Sequence, residues 1–314
     1  MTKKQIQPAL EFDAIFGKAK VYIGKALLRK EGGDTDEYQL WASLALELLG
    51  KAALAKIHPS LIVDPTHYES LFAASCINIS TDIKTITAKT LFERLRHIIP
   101  SFDETVRKFC AGISLRRNAE LHSGETPFKT MRLEAWEAHY WHASQLILGH
   151  MGASLEDWLG ASQAKAPKAI IEHAAEAKRQ AVIVRIERTK ERFLLRKRAD
   201  RESVLRDAQS RSAFHYNNLF TLLSDHEWEC RCPACGGKAF LAGIRVDEDV
   251  VDTYGDEYGA WEQVEVHYSA EQFHCPVCDL FLDGSDEVDY AGLEIEHSET
   301  DEREMQYEPD YGND

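Results

Sequence analysis

The chain has 314 residues, 44% hydrophobic and 28% charged, the balance of a soluble protein with apolar material for two folding units. No apolar run approaches the ~18 residues that cross a bilayer, and the first twenty residues lack the apolar core of a signal peptide, so a cytoplasmic protein without a membrane partner is expected. The formal charge of −15 is unevenly held. Residues 246–314 carry 23 acidic side chains against Arg303 alone, whereas residues 1–245 carry 36 basic against 29 acidic, so a nucleic-acid partner for the basic part is not excluded.

In chain order, residues 12–30 are compatible with a helix that "EGGDTD" interrupts. Trp41, Leu44 and Leu48 recur at helical spacing in "DEYQLWASLALELLGKAALAKIHP", which Pro59 ends. Glu47 and Lys51 form an i,i+4 pair within that apolar helix. Such a pair either helps to position Arg117 or a phosphate, or is a plain intrahelical salt bridge worth ~0.3–0.5 kcal/mol. Leu91, Leu95 and Ile98 mark a helix before Pro100, and Ser101 with Glu104 forms a predicted capping box. The helix so opened runs through Val106, Phe109 and Ile113 and is expected to stop at Gly124. Leu133, Trp136, Tyr140 and Ile147 give one more amphipathic helix. The expected fold is α plus small β, opening with an all-α antiparallel bundle over residues 1–160.

After Pro167 the composition turns basic. Residues 178–211 hold twelve Lys or Arg against five Asp or Glu, which predicts a long basic connector helix over 161–212. It reads either as a solvated spacer or as a surface for RNA or for the acidic tail. Short strands follow, "KAFLAGIRV" and "EQVEVHY", within a small β domain over 213–284. Residues 285–314 are acidic and weakly patterned, and a solvated or partly disordered tail is expected.

Five of the seven cysteines fall in the β segment. "CRCPACGG" and "HCPVCDLF" each supply a C-x-x-C turn, Cys232/Cys235 and Cys275/Cys278. Two such turns bring four thiolates to one tetrahedral ion, which resembles a zinc ribbon with a structural Zn2+. Cys230, His226 and His274 are alternative ligands. Cys76 and Cys110 lie in apolar helical contexts and read as buried thiols.

The remaining motif is "LRRNAELHSG". Asn118 and His122 share a helix face at i,i+4, and Arg117 begins on the neighbouring one. Histidine moves protons near neutrality, arginine stabilises phosphoryl charge, and asparagine orients a phosphate or the imidazole. The bland alternative is a C-terminal helix cap, with Arg117 and His122 on the last carbonyls.

The R-N-x-x-x-H arrangement of Arg117, Asn118 and His122 resembles the R-x(4–6)-H signature of the HEPN superfamily. The upstream helix "LWASLALELLGKAALAKIHP" is similar to the one preceding that motif in bacterial members, and the resemblance spans residues 10–155. It implies a metal-independent endoribonuclease acting as a homodimer, with Arg117, Asn118 and His122 catalytic; the Glu47 and Lys51 pair is the candidate support for that site. A regulated toxin or antiviral defence role follows from the resemblance alone. Gly124 stands where antitoxin-paired members often carry a modifiable Tyr two residues after the His, so control by that modification is not expected. Control by the acidic tail covering the basic helix is expected instead, with deletion of 285–314 raising RNA affinity. The competing readings are a non-catalytic adapter that dimerises and recruits a protein or nucleic acid, and, ranked last, a DNA-reading regulator.

Overall fold

The computed structural model describes residues 6–216, 218–256 and 259–304. Among these it holds ten α-helices and one five-stranded antiparallel sheet, in two compact units, Met1–Ala174 and Ala175–Asp314.

The first unit is all-helical. Helix α1 (Phe12–Glu31) and helix α2 (Thr35–Ile57) form a hairpin joined at Gly32–Asp34, where the left-handed φ of +84° at Gly33 suits only glycine. Short helix α3 (Tyr68–Ala74) follows a 3-10 turn at Pro59–Ile62, and α4 (Ala88–Ile98) is capped by the Thr87 hydroxyl. Helices α5 (Glu104–His122), α6 (Leu133–His150) and α7 (Leu155–Leu159) complete the packing. Helix α2 is central: it contacts α1, α4, α5 and α6, and its apolar residues are buried almost all round.

The expected Ser101/Glu104 capping box is not formed. Asp103 caps α5 instead, its carboxylate accepting from the Val106 amide at 2.8 Å, and Glu104 pairs with Arg107. Asp103 lies two residues nearer the helix than Ser101, and its carboxylate is the better partner for the N-terminal dipole.

Two buried polar links pin the bundle. Tyr38 Oη donates to Glu137 at 2.7 Å, and Lys30 pairs with the same carboxylate. Burial, reinforced by the Glu137 charge, pushes the Tyr38 phenol well above its ordinary range. Tyr140 Oη donates to the Ala42 carbonyl at 3.0 Å, while Trp136 stacks on Tyr140 at 4.6 Å.

Helix α8 (Lys165–Leu194) carries the chain into the second unit, and α9 (Arg198–Gln209) follows a break at residues 195–197. Where one long basic helix is expected the chain forms two, and each buries part of one face. Val182, Ile186 and Phe193 recur on one face of α8 and enter the core formed by Leu241, Phe273, Leu280 and Leu282. Basic Arg185, Arg188 and Arg192 lie along a groove on α8.

The sheet comprises β1 (His226–Arg231), β2 (Lys238–Asp256), β3 (Gly259–Cys275), β4 (Leu280–Asp283) and β5 (Glu296–Glu304), with α10 (Ser285–Tyr290) before the last strand. Strand β3 pairs with β2 along one edge; on the other, residues 272–275 pair with β4 and residues 261–269 with β5. Within residues 285–304, α10 and β5 are regular helix and strand, although β5 keeps all but one of its side chains exposed. Val288 on α10 is fully buried, and β5 satisfies its backbone by pairing with β3. Residues 305–314, the rest of the expected tail, lie outside the described residues.

Gly243 on β2 is a point of close approach. A Cβ there would lie 2.5 Å from the Ser269 carbonyl oxygen and 2.7 Å from the Trp228 ring. Gly243→Ala is expected to destabilise the second unit by about 1–3 kcal/mol through overpacking. Urea unfolding should show the lower midpoint; an unchanged midpoint refutes the close approach.

Candidate functional site

The buried face of α5 consists of Val106, Cys110, Ile113 and Ser114. Arg117 continues that face by one turn and points inward, whereas Asn118 and His122 fall to one side and are exposed together with Leu115 and Leu121.

Arg117 Nη1 reaches Glu47 Oε2 on α2 at 2.7 Å. Glu47 Oε1 in turn accepts from Lys51 Nζ at 2.9 Å, and Lys51 also donates to Thr85 Oγ1 at 3.1 Å. The three charged side chains are only 13–15% exposed. Burial raises the Glu47 carboxyl pKa, but the adjacent Lys51 and Arg117 charges more than offset this and hold it below the usual carboxylate range. The pair that spacing left ambiguous is thus a three-member cluster joining α2, α5 and the segment before α4.

Arg117 does not cap its helix. Ser123 occupies the C-cap, and its hydroxyl and amide both bond the Ala119 carbonyl, at 2.7 and 3.0 Å. Asn118 and His122 are exposed and make no side-chain hydrogen bond among the described residues. Glu120, three residues after Arg117, was not singled out by sequence. One of its carboxylate oxygens is shielded from water without a hydrogen bond, as is Arg117 Nε. Its i,i+3 offset from Arg117 was the available signal.

In the second unit the structure brings Cys232, Cys235, Cys275 and Cys278 together. Cys232 and Cys235 occupy the turn between β1 and β2, and Cys275 and Cys278 the turn between β3 and β4. Both turns close with a left-handed residue: Gly236 at φ +71° and Asp279 at φ +62°. Sulfurs of Cys232 and Cys278 lie 3.5 Å apart, as do those of Cys235 and Cys275, and all four fall within 4.8 Å of one another. Amides of Ala234 and Gly237 donate to the Cys232 and Cys235 sulfurs at 3.4 Å, which favours thiolates. No disulfide forms, and the cluster can hold a metal ion.

The alternative ligands are otherwise occupied. Cys230 lies outside the cluster, its thiol pushed up to about 12 by burial and by the neighbouring Cys232. His274 engages the Leu219 carbonyl through Nδ1 at 2.8 Å and Asp279 through Nε2 at 3.1 Å. His226 belongs to a different group of side chains.

Glu47→Gln leaves two largely buried cations without their carboxylate and is expected to cost about 3 kcal/mol at neutral pH. Because the folded pKa of Glu47 is lowered, its contribution is full above the ordinary carboxylate range and is lost as pH falls through the folded value. Thermal melts of wild type and variant should therefore converge in acid. Equal melting temperatures at pH 7 would remove the cluster from the stability of the bundle.

No protein-family model, no functionally described protein and no solved structure matches this chain.

Proposed function

We propose that the N-terminal bundle is a metal-independent HEPN-type endoribonuclease and that the four cysteines hold a structural Zn2+ in a zinc ribbon. The observation that carries the first part is the placing of exposed Asn118 and His122 beside a cluster in which one carboxylate, Glu47, meets two cations, Lys51 and Arg117. That cluster carries an excess positive charge suited to a phosphate.

The chemistry follows from these groups. The 2′-hydroxyl oxygen of RNA attacks the adjacent phosphorus and loses its proton. The bond to the 5′-oxygen of the next nucleotide breaks, and that oxygen takes a proton. Products are a 2′,3′-cyclic phosphate and a free 5′-hydroxyl. His122 moves the proton, Asn118 donates to a phosphate oxygen, and Arg117 stabilises the added negative charge. Leu115 and Leu121, 70% and 49% exposed, flank this face and suit a second copy docked along α5 as a homodimer. A role as a regulated toxin or defence effector rests on the family resemblance.

For the cysteines, a tetrahedral ion with Zn–S bonds of about 2.3 Å separates its sulfurs by about 3.8 Å. The 3.5 Å pairs match that spacing before any adjustment to the ion. Four thiolates leave no open position, so the zinc supplies cross-linking of the two turns and no chemistry. Purified protein should contain zinc by mass spectrometry, and Cys275→Ser with Cys278→Ser should lose one equivalent per chain; a full complement in that variant refutes the assignment.

An adapter without catalysis is the second reading. It is favoured by the Arg117 guanidinium being already paired and largely buried, which suffices for a purely structural link. Incubation of wild type and His122→Ala with tRNA and total RNA in EDTA separates the two. Cyclic-phosphate ends from wild type alone support the enzyme; equal products or none from both support the adapter.

Control by the acidic segment takes a narrower form than coverage by a tail. Asp286 pairs with Lys178 at 2.6 Å, and Glu287 pairs with Arg185 at 2.7 Å. Deleting 285–314 would remove buried Val288 and strand β5, so charge substitution is the cleaner test. Asp286→Asn with Glu287→Gln is expected to raise RNA affinity and steepen its salt dependence. Identical binding across a salt series argues against this control.

A further inference from the structure

The sheet assembles a second group of metal-binding side chains that the cysteine motifs do not announce. We propose that His226, His297 and Glu299 form an open site for a divalent transition-metal ion. This site is independent of the ribonuclease reading and of the four-cysteine cluster.

His226 opens β1, whereas His297 and Glu299 lie two residues apart on one face of β5. Strand order β1-β2-β3-β5 would set β1 about 14 Å from β5 in a flat sheet. Yet the two imidazole centroids are 5.4 Å apart. Gly243 contributes to that approach: it offers no side chain on β2, and the Trp228 ring from β1 lies against it. Trp228 then stacks on His297, and Tyr268 on His226, each at 4.7 Å.

Three donor atoms converge. His226 Nε2 lies 3.1 Å from Glu299 Oε1, and His297 Nε2 lies 3.4 Å from the same oxygen. All three are within 4.8 Å of one another. An ion with bonds of about 2.0–2.1 Å in tetrahedral geometry separates its ligands by about 3.3 Å, between the two observed distances. His226 Nε2 is shielded from water and, despite its proximity to Glu299, makes no hydrogen bond of usable geometry. A ring nitrogen shielded from water and facing a carboxylate in poor hydrogen-bond geometry is an arrangement that a cation completes. The imidazoles are stacked nearly parallel, so their in-plane lone pairs meet on one ion once the rings turn about the soft Cβ–Cγ torsion.

The surroundings choose the ligand class. Residues 246–314 carry a formal charge of −22, which concentrates cations and repels anions. Imidazole with a carboxylate selects zinc, copper, nickel or cobalt over magnesium or calcium. Glu299 is half exposed, and three protein ligands leave a coordination position for water or another small donor.

Equilibrium dialysis of the full chain against micromolar Zn2+, with bound metal counted by mass spectrometry, tests the proposal. Wild type should hold one equivalent more than His226→Gln with His297→Gln, and Glu299→Gln should bind that equivalent at least tenfold more weakly. Circular dichroism checks that the sheet is retained; if the double variant loses it, the exposed Glu299→Gln alone decides. Equal metal content and affinity in wild type and folded variant overturns the site. Loss of zinc on changing the cysteines is read separately, in Cys275→Ser with Cys278→Ser, so failure of one assignment is distinguishable from failure of the other.

Discussion

A carboxylate inside a helical bundle must be charged to be useful and must be neutralised to be tolerated, and Glu47 meets both demands. Its desolvation favours the protonated form, while Lys51 on the same helix and Arg117 on α5 favour the ionised one, and the cations prevail. Lys51 is tied in turn to Thr85, so one buried charge couples three separate stretches of chain. The consequence for α5 is rotational. With Arg117 drawn inward, the helix period obliges Asn118 and His122 to face out, next to Leu115. Packing of Cys110 and Ile113 on the same face acts in the same sense, so electrostatics and apolar burial agree on the helix orientation.

The second unit divides its labour differently. An apolar stripe on α8, Val182, Ile186 and Phe193, covers a sheet too small to bury itself. Arg185, Arg188 and Arg192 flank that stripe, and Arg185 is engaged by Glu287 of α10. The four cysteines lie together where the β1–β2 and β3–β4 turns meet, and Leu205 of α9 packs over Gly237 beside them. Sheet and helices thus share one small core.

Much of this was legible in the sequence, for local reasons. Helices α1, α2, α4 and α6 follow apolar periodicity, and each C-x-x-C turn needs only four residues to declare itself. A charged pair in an otherwise apolar helix pointed to Glu47 and Lys51, with Arg117 or a phosphate as the group they position; the direct contact of Arg117 with Glu47 required the fold. The failures are equally physical. "SFDE" offers two capping side chains, and only backbone geometry chooses Asp103. Strand β5, "EHSETDERE", has no apolar alternation; its conformation comes from hydrogen bonds to β3, so composition shows its exposure and not its strand. His226 and His297 meet only through strand register, which no local pattern encodes.

The charge of β5 has a consequence for how copies of this protein meet one another. Strand β5 pairs only with β3, so its far edge presents backbone groups with no ladder partner among the described residues. Such an edge is a template for strand addition by a neighbouring chain. Here the template carries Glu296, Glu299, Asp301, Glu302 and Glu304, and an identical strand approaching it brings the same repulsion. Acidity that looks like disorder in a composition plot acts as a guard on the sheet, and chains cut before Glu296 would uncover the edge around Val264 and Val266 and become prone to aggregate.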